Sequence, residues 1–141
     1  MENTKQLRVI HLTLPLEHYT KQGKRIALSS NSFIGKHWAP THSIKKGYTQ
    51  TSILPRLLIH RKKKLNGPIE KFHITYQFCF ENKAVKDPSN YWAVISKFLL
   101  DALVNEGYIK DDGHKYDMGA TRLPTIYGDK NAVEILIKEE I

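Results

Sequence analysis

A chain of 141 residues with 40% hydrophobic and 26% charged side chains can bury one core without staples and is too short for several domains. Its single cysteine, Cys79, excludes a disulfide or a cysteine-built zinc site and points to a reducing cytosol; no stretch nears the roughly 20 apolar residues of a membrane span, and no signal peptide is visible. The net charge of +8 is uneven: residues 1–64 carry 13 Lys/Arg against 2 acids, whereas residues 65–141 carry 9 against 12, so the first half is built to meet an anion.

In chain order, Leu7 to Leu14 reads as a buried strand stopped by Pro15, and Lys24 to Leu28 as a second strand. Asn31 to Pro40 reads as a loop holding Phe33, Lys36, His37 and Trp38. Residues 41–63 look helical but contain Pro55, which predicts a kink or two shorter helices. After the Asn66-Gly67-Pro68 turn, Phe72, Ile74, Tyr76, Phe78 and Phe80 alternate with His73, Thr75, Gln77 and Cys79, the clearest strand in the chain. Asp87-Pro88 reads as an N-cap followed by proline at the first helical position, and Asn105-Glu106-Gly107 as the end of that helix, giving about 88–106. Lys115 to Thr121 and Ala132 to Lys138 read as strands joined around Tyr127 to Asn131. The fold class expected is α+β: a single domain over 1–141, with a mixed, mostly antiparallel sheet and helices packed against one side.

The helix after Asp87 is the chemically informative element. At about 100° per residue, Lys97 and Asp101 fall within roughly 20° of Asn90, one polar stripe. Trp92, Ile95, Phe98, Leu99, Ala102 and Leu103 fall on the other side, so the core is supplied without the stripe. The six residues from Gly107 to Asp112, fully extended, cover at most about 20 Å, so a chain that doubles back can set Asp112 beside the N-terminal half of the helix, near Asp87. Carboxylates gathered in a partly dry site repel one another unless a divalent cation or a lysine balances them, and an oxygen-rich site suits Mg²⁺ or Mn²⁺. Such an ion activates water and stabilises charge on a phosphodiester, with Lys97 adding a fixed positive charge.

Each feature also has a plain structural reading. Asp87 alone is a helix cap, Asp111-Asp112-Gly113 alone a turn, and Lys97 with Asp101 a surface pair worth a few tenths of a kcal/mol. The basic residues Lys36, Lys45, Lys46 and Arg61 to Lys64 (Arg61, Lys62, Lys63, Lys64) fit phosphate contacts, with Arg56 nearby, or else a solubilising face. His37 beside Trp38 suits holding a DNA strand or stacking on a base. The remaining histidines show no ligand spacing, although His114 follows Asp112 closely. No glycine-rich phosphate loop is present, so no nucleotide cofactor is expected.

Three segments together, Lys86-Asp87-Pro88-Ser89-Asn90, then Lys97-x3-Asp101-Ala102-Leu103, then Gly107-Tyr108-Ile109-Lys110-Asp111-Asp112, resemble the signature of the RusA family of phage and prophage Holliday-junction resolvases. The match covers roughly residues 86–123. Leu14-Pro15 and Asn31 to Trp38 resemble earlier family segments more weakly. The resemblance implies a homodimeric, Mg²⁺- or Mn²⁺-dependent endonuclease that nicks four-way DNA junctions symmetrically in recombination and repair, in the cytoplasm of a bacterial or phage-infected cell. By position it makes Asp87 and Asp112 metal-binding catalytic acids and Lys97 the catalytic-site lysine. Asp101 would be a further catalytic acid orienting Lys97, and Asp111 a further candidate metal ligand.

Two departures stand out. The family's prototype has four fewer residues between asparagine and lysine, about 1.1 turns, which keeps Lys97 on the same face. It also has a second acid where this chain has Ser89, which offers only a neutral oxygen, so Asn90 or Asp101 would complete the site. That substitution motivates the alternative expectation, a branched-DNA-binding protein of the same fold with weakened or lost cleavage. A nuclease acting on flaps or other branched DNA is a third.

Overall fold

The structure, a computed structural model, describes residues 7–32, 38–61, 67–81 and 87–141. Four strands give the frame: β1 (Val9–Pro15), β4 (Phe72–Phe80), β5 (Asp117–Arg122) and β7 (Ala132–Glu139), joined in the order β1-β7-β4-β5. A two-residue strand, β6 (Ile126–Tyr127), continues past β5 along the same side of β4. β7 is antiparallel to both β1 and β4, whereas β5 and β6 run parallel to β4. The expected mixed, mostly antiparallel sheet is present.

Alternation explains why the sheet has one core face. Ile10, Leu12 and Leu14 of β1, Val133, Ile135 and Ile137 of β7, and Phe72, Ile74, Tyr76, Phe78 and Phe80 of β4 are all buried. Their neighbours His11, Glu134 and Lys138 are exposed, and His73, Thr75 and Gln77 half-buried. All helices therefore lie on the first face, as expected. They are α1 (Trp38–Tyr48), α2 (Leu54–Arg61) and α3 (Pro88–Asn105), which supply Tyr48, Leu57, Ile95, Phe98, Leu99 and Leu103 to the core.

Two local expectations change, and the third, two shorter helices around Pro55, holds in a specific form. Pro15 does not stop β1 but is its last residue, opposite Ala132, because β1 is an edge strand where a missing N–H costs no ladder bond. The segment Lys24 to Leu28 supplies β3 (Arg25–Ala27), which pairs not with the main sheet but with an unexpected strand, β2 (Glu17–Tyr19). The interruption by Pro55 falls between α1 and α2 as a five-residue π turn, Thr49–Ile53, in which Leu54 N–H reaches back to Thr49 O. This widening leaves Pro55 in the first turn of α2, where its missing donor is harmless.

The chain end is tied in by charge. Arg8 binds Glu139 through its backbone N–H and its guanidinium, at 2.8 to 3.2 Å, and also donates to Gly67 O at 2.7 Å. Glu139 is only 4% exposed, so this pair fixes β1, β7 and the turn before β4. No helix among the described residues is long and apolar enough to cross a membrane.

Candidate functional site

Helix α3 organises the described motif positions, Lys86 lying outside the described residues. Asp87 is its N-cap, with extended backbone and an Oδ1 that accepts the Ser89 N–H at 2.9 Å, and Pro88 opens the first turn. Its buried residues are Ile95, Phe98, Leu99, Ala102 and Leu103, leaving Asn90, Lys97 and Asp101 off the core face as the spacing required. The helix closes through Glu106, with Gly107 in the left-handed region at φ +77° and Tyr108 N–H bonded to Leu103 O.

The path after Gly107 corrects the expectation that Asp112 returns to the N-terminal half of α3. Ile109 N–H bonds Leu103 O in the last turn, Ile109 bridges Ile69 in parallel, and Lys110 N–H bonds Ile69 O. Gly113 O then accepts from Tyr116 and Asp117, and Asp117 opens β5 opposite Phe72. A strand parallel to β4 must begin where β4 begins, so the crossover carries the chain to the entry end of the sheet first. Asp87 caps one end of a helix about 27 Å long, and Asp112 follows the turn that closes the other end. Among the described residues no group of three or more His, Cys, Asp and Glu side chains is arranged to hold a metal.

Two separate clusters result. At the N-terminal end, exposed Asp87 is linked through Ser89 to Arg122, whose Nη1 donates to Ser89 Oγ at 2.8 Å. The Arg122 guanidinium also lies over Trp92, 5.4 Å from the ring centre, and Trp92 meets buried Tyr76 edge-on. At the other end, Asp101 pairs with Lys45 of α1. That corrects two expectations: Asp101 does not orient Lys97, which makes no ion pair among the described residues, and the Lys45 ammonium is committed to a carboxylate within the fold. Residue 45 reaches Asp101 because α1 lies beside α3, a proximity that no spacing within α3 reveals.

Lys46 and His42 share with Lys45 a cleft of about 420 Å³ between α1 and the last turns of α3, which Asn105 and Glu106 also line. Asp111 Oδ1 accepts the Asp112 N–H at 2.8 Å, the self-bonded turn that its sequence allows. The Asp112 carboxylate, exposed, has no partner among the described residues. Asn90 is half-buried in the first turn and Lys97 exposed. Arg61 closes α2, and Lys36, His37, Lys62, Lys63 and Lys64 lie outside the described residues.

Sequence reasoning missed Arg122. It is the one arginine in the half of the chain after residue 64, at the end of a strand just before Leu-Pro. That singularity was the available signal, but 33 residues separate it from Ser89. No protein-family model matches this chain, and no curated protein matches it closely enough to count as a relative.

Proposed function

We propose that the chain is a metal-dependent, structure-selective endodeoxyribonuclease that nicks four-way DNA junctions symmetrically as a homodimer, with Mg²⁺ or Mn²⁺, in DNA recombination and repair. The observation that carries this reading is α3 itself. The positions at which the sequence resembles the RusA signature fall at its cap, along the face it turns away from the core and just past its end, while the apolar positions between them are the ones it buries.

Asp87 and Asp112 have the right chemistry for a hard cation, since both are exposed oxygen donors without a competing cation among the described residues. Their placement does not fit one ion within one protomer. The homodimer reading resolves this, because a two-fold axis that sets two α3 helices head to tail brings Asp87 of each protomer to Asp112 of the other. The basic first half of the chain would gather the polyanion whose backbone is cut, with affinity that falls steeply as salt rises.

The test uses a labelled synthetic four-way junction with and without Mg²⁺ or Mn²⁺. Paired, metal-dependent nicks that vanish in Asp87→Asn and in Asp112→Asn are expected. Co-refolded mixtures of the two inactive variants then restore single nicks, because each mixed dimer keeps one site with both acids. No rescue in a mixture shown to form mixed dimers would contradict shared sites.

One observation favours a second reading, a branched-DNA binder without cleavage: Ser89, standing where the family's prototype has an acid, already has its oxygen on Arg122. Tight junction binding with no nicks at any metal concentration would select it.

A further inference from the structure

We propose that Arg122 is a docking residue for a DNA backbone phosphate, held ready beside the Asp87 cap by Ser89 and Trp92; this rests on the DNA-processing reading above. Arg122 ends the edge strand β5 and is exposed. One of its five N–H donors is spent on Ser89 Oγ, and its Cζ lies over the Trp92 ring, two contacts that fix direction without neutralising charge. Among the described residues it has no carboxylate partner, whereas Arg8 is paired with Glu139 and Arg25 with Glu17. The nearby Asp87 carboxylate takes the Ser89 N–H, not the guanidinium.

The space in front of Arg122 suits a nucleotide. A cleft of about 330 Å³ opens between the start of α3 and the chain leaving β5, and Arg122 is the one charged side chain among the described residues of its lining. The Ser89 and Thr125 hydroxyls supply further polar groups, and Phe78, Leu123 and Pro124 give apolar walls. A phosphate on the guanidinium fork would be bound in bidentate fashion, leaving the sugar against Leu123 and Pro124. Ser89 thus has a use in place of the absent acid: its oxygen holds a cation of the protein.

The experiment reads binding apart from cleavage. A four-way junction is titrated in EDTA against the full chain carrying Trp38→Phe, so that Trp92 is the one tryptophan, and against the same chain with Arg122→Ala or Arg122→Lys. Circular dichroism and thermal melting confirm that each is folded. We expect the junction to change Trp92 emission, and Arg122→Ala to remove that change and weaken binding about tenfold. The slope of log K against log salt should drop by about one unit in Arg122→Ala. Arg122→Lys should keep the salt slope and recover part of the affinity, because it retains charge and loses the fork. If folded Arg122→Ala or, should that variant not fold, Arg122→Lys binds with parental affinity and gives the parental emission change, the docking role is wrong while the nuclease reading stands. If the parent itself does not bind the junction, both fail.

Discussion

The two ends of α3 carry the motif in opposite electrostatic settings. At the N-terminal end, a carboxylate and an arginine share Ser89 without pairing with each other, and among the described residues neither is neutralised. Near the C-terminal end, Asp101 is closed by Lys45, whereas the Asp112 carboxylate past the final turn has no partner among the described residues. The first arrangement leaves its charge unspent among the described residues, and the second uses it mostly to hold α1 against α3. Two acids of one motif can therefore have different jobs, and pairing within the fold tells them apart.

The sharpest way to break the comparison is to remove the unpartnered acid. Asp112→Asn should cut junction nicking on the order of a hundredfold or more, while its thermal midpoint stays at the parental value because the carboxylate makes no bond to the described residues. Retained nicking would show that Asp112 is only a turn residue.

Next in size is Gly107→Ala. The position sits at φ +77° with nothing within 4 Å of an added Cβ, so the cost is backbone strain alone, about 1–2 kcal/mol in urea unfolding. Since Gly107 aims the chain toward Asp112 and away from Asp87, nicking should fall while hydrogen exchange in the first turns of α3 is unchanged. An equal loss of protection along the whole helix would show that the two ends are not independent.

How far the sequence revealed this arrangement follows from which interactions are local. The α3 boundaries and buried face were readable because cap, proline, apolar period and terminal glycine all act within a few residues. The β4 alternation was equally plain. Lys45 with Asp101 and Arg122 with Ser89 were not, since 56 and 33 residues separate the partners and only the packed fold joins them. The path of Asp112 was misread for a related reason: chain length permits a return to Asp87, but the parallel pairing of β4 with β5, which chain length does not encode, forbids it.

A smaller effect tests whether Asp101 is structural. Asp101→Asn should destabilise by about 1 kcal/mol or less, because both side chains of the pair are some 30% exposed. In a double-mutant cycle with Lys45→Met the two losses should not add. A folded Asp101→Asn with normal stability and no nicking would return this residue to the catalytic group.

The smallest effect concerns what supports α1 from beneath. His18 of β2 is 8% exposed, meets Tyr48 edge-on, and lies so close to Gly47 that a Cβ there would be 2.7 Å from its Nε2. Burial pushes its imidazole below the ordinary range, so folding favours the neutral ring. The unfolded chain takes up a proton as pH falls through about 6.5, before the folded chain does. The stability contributed is therefore present above that pH and lost as pH falls toward the folded value. Lys21, in the same cleft, adds a like charge that a protonated ring would meet. Urea midpoints at pH 7.5 and 5.5 should separate further for the parent than for His18→Gln. At the lower pH, hydrogen exchange should quicken in α1 and in the half of α3 that Lys45 braces, and stay slow around Ser89 and Arg122. Identical pH slopes in parent and variant, or quickening spread over all of α3, would mean that α1 does not brace one end in preference to the other.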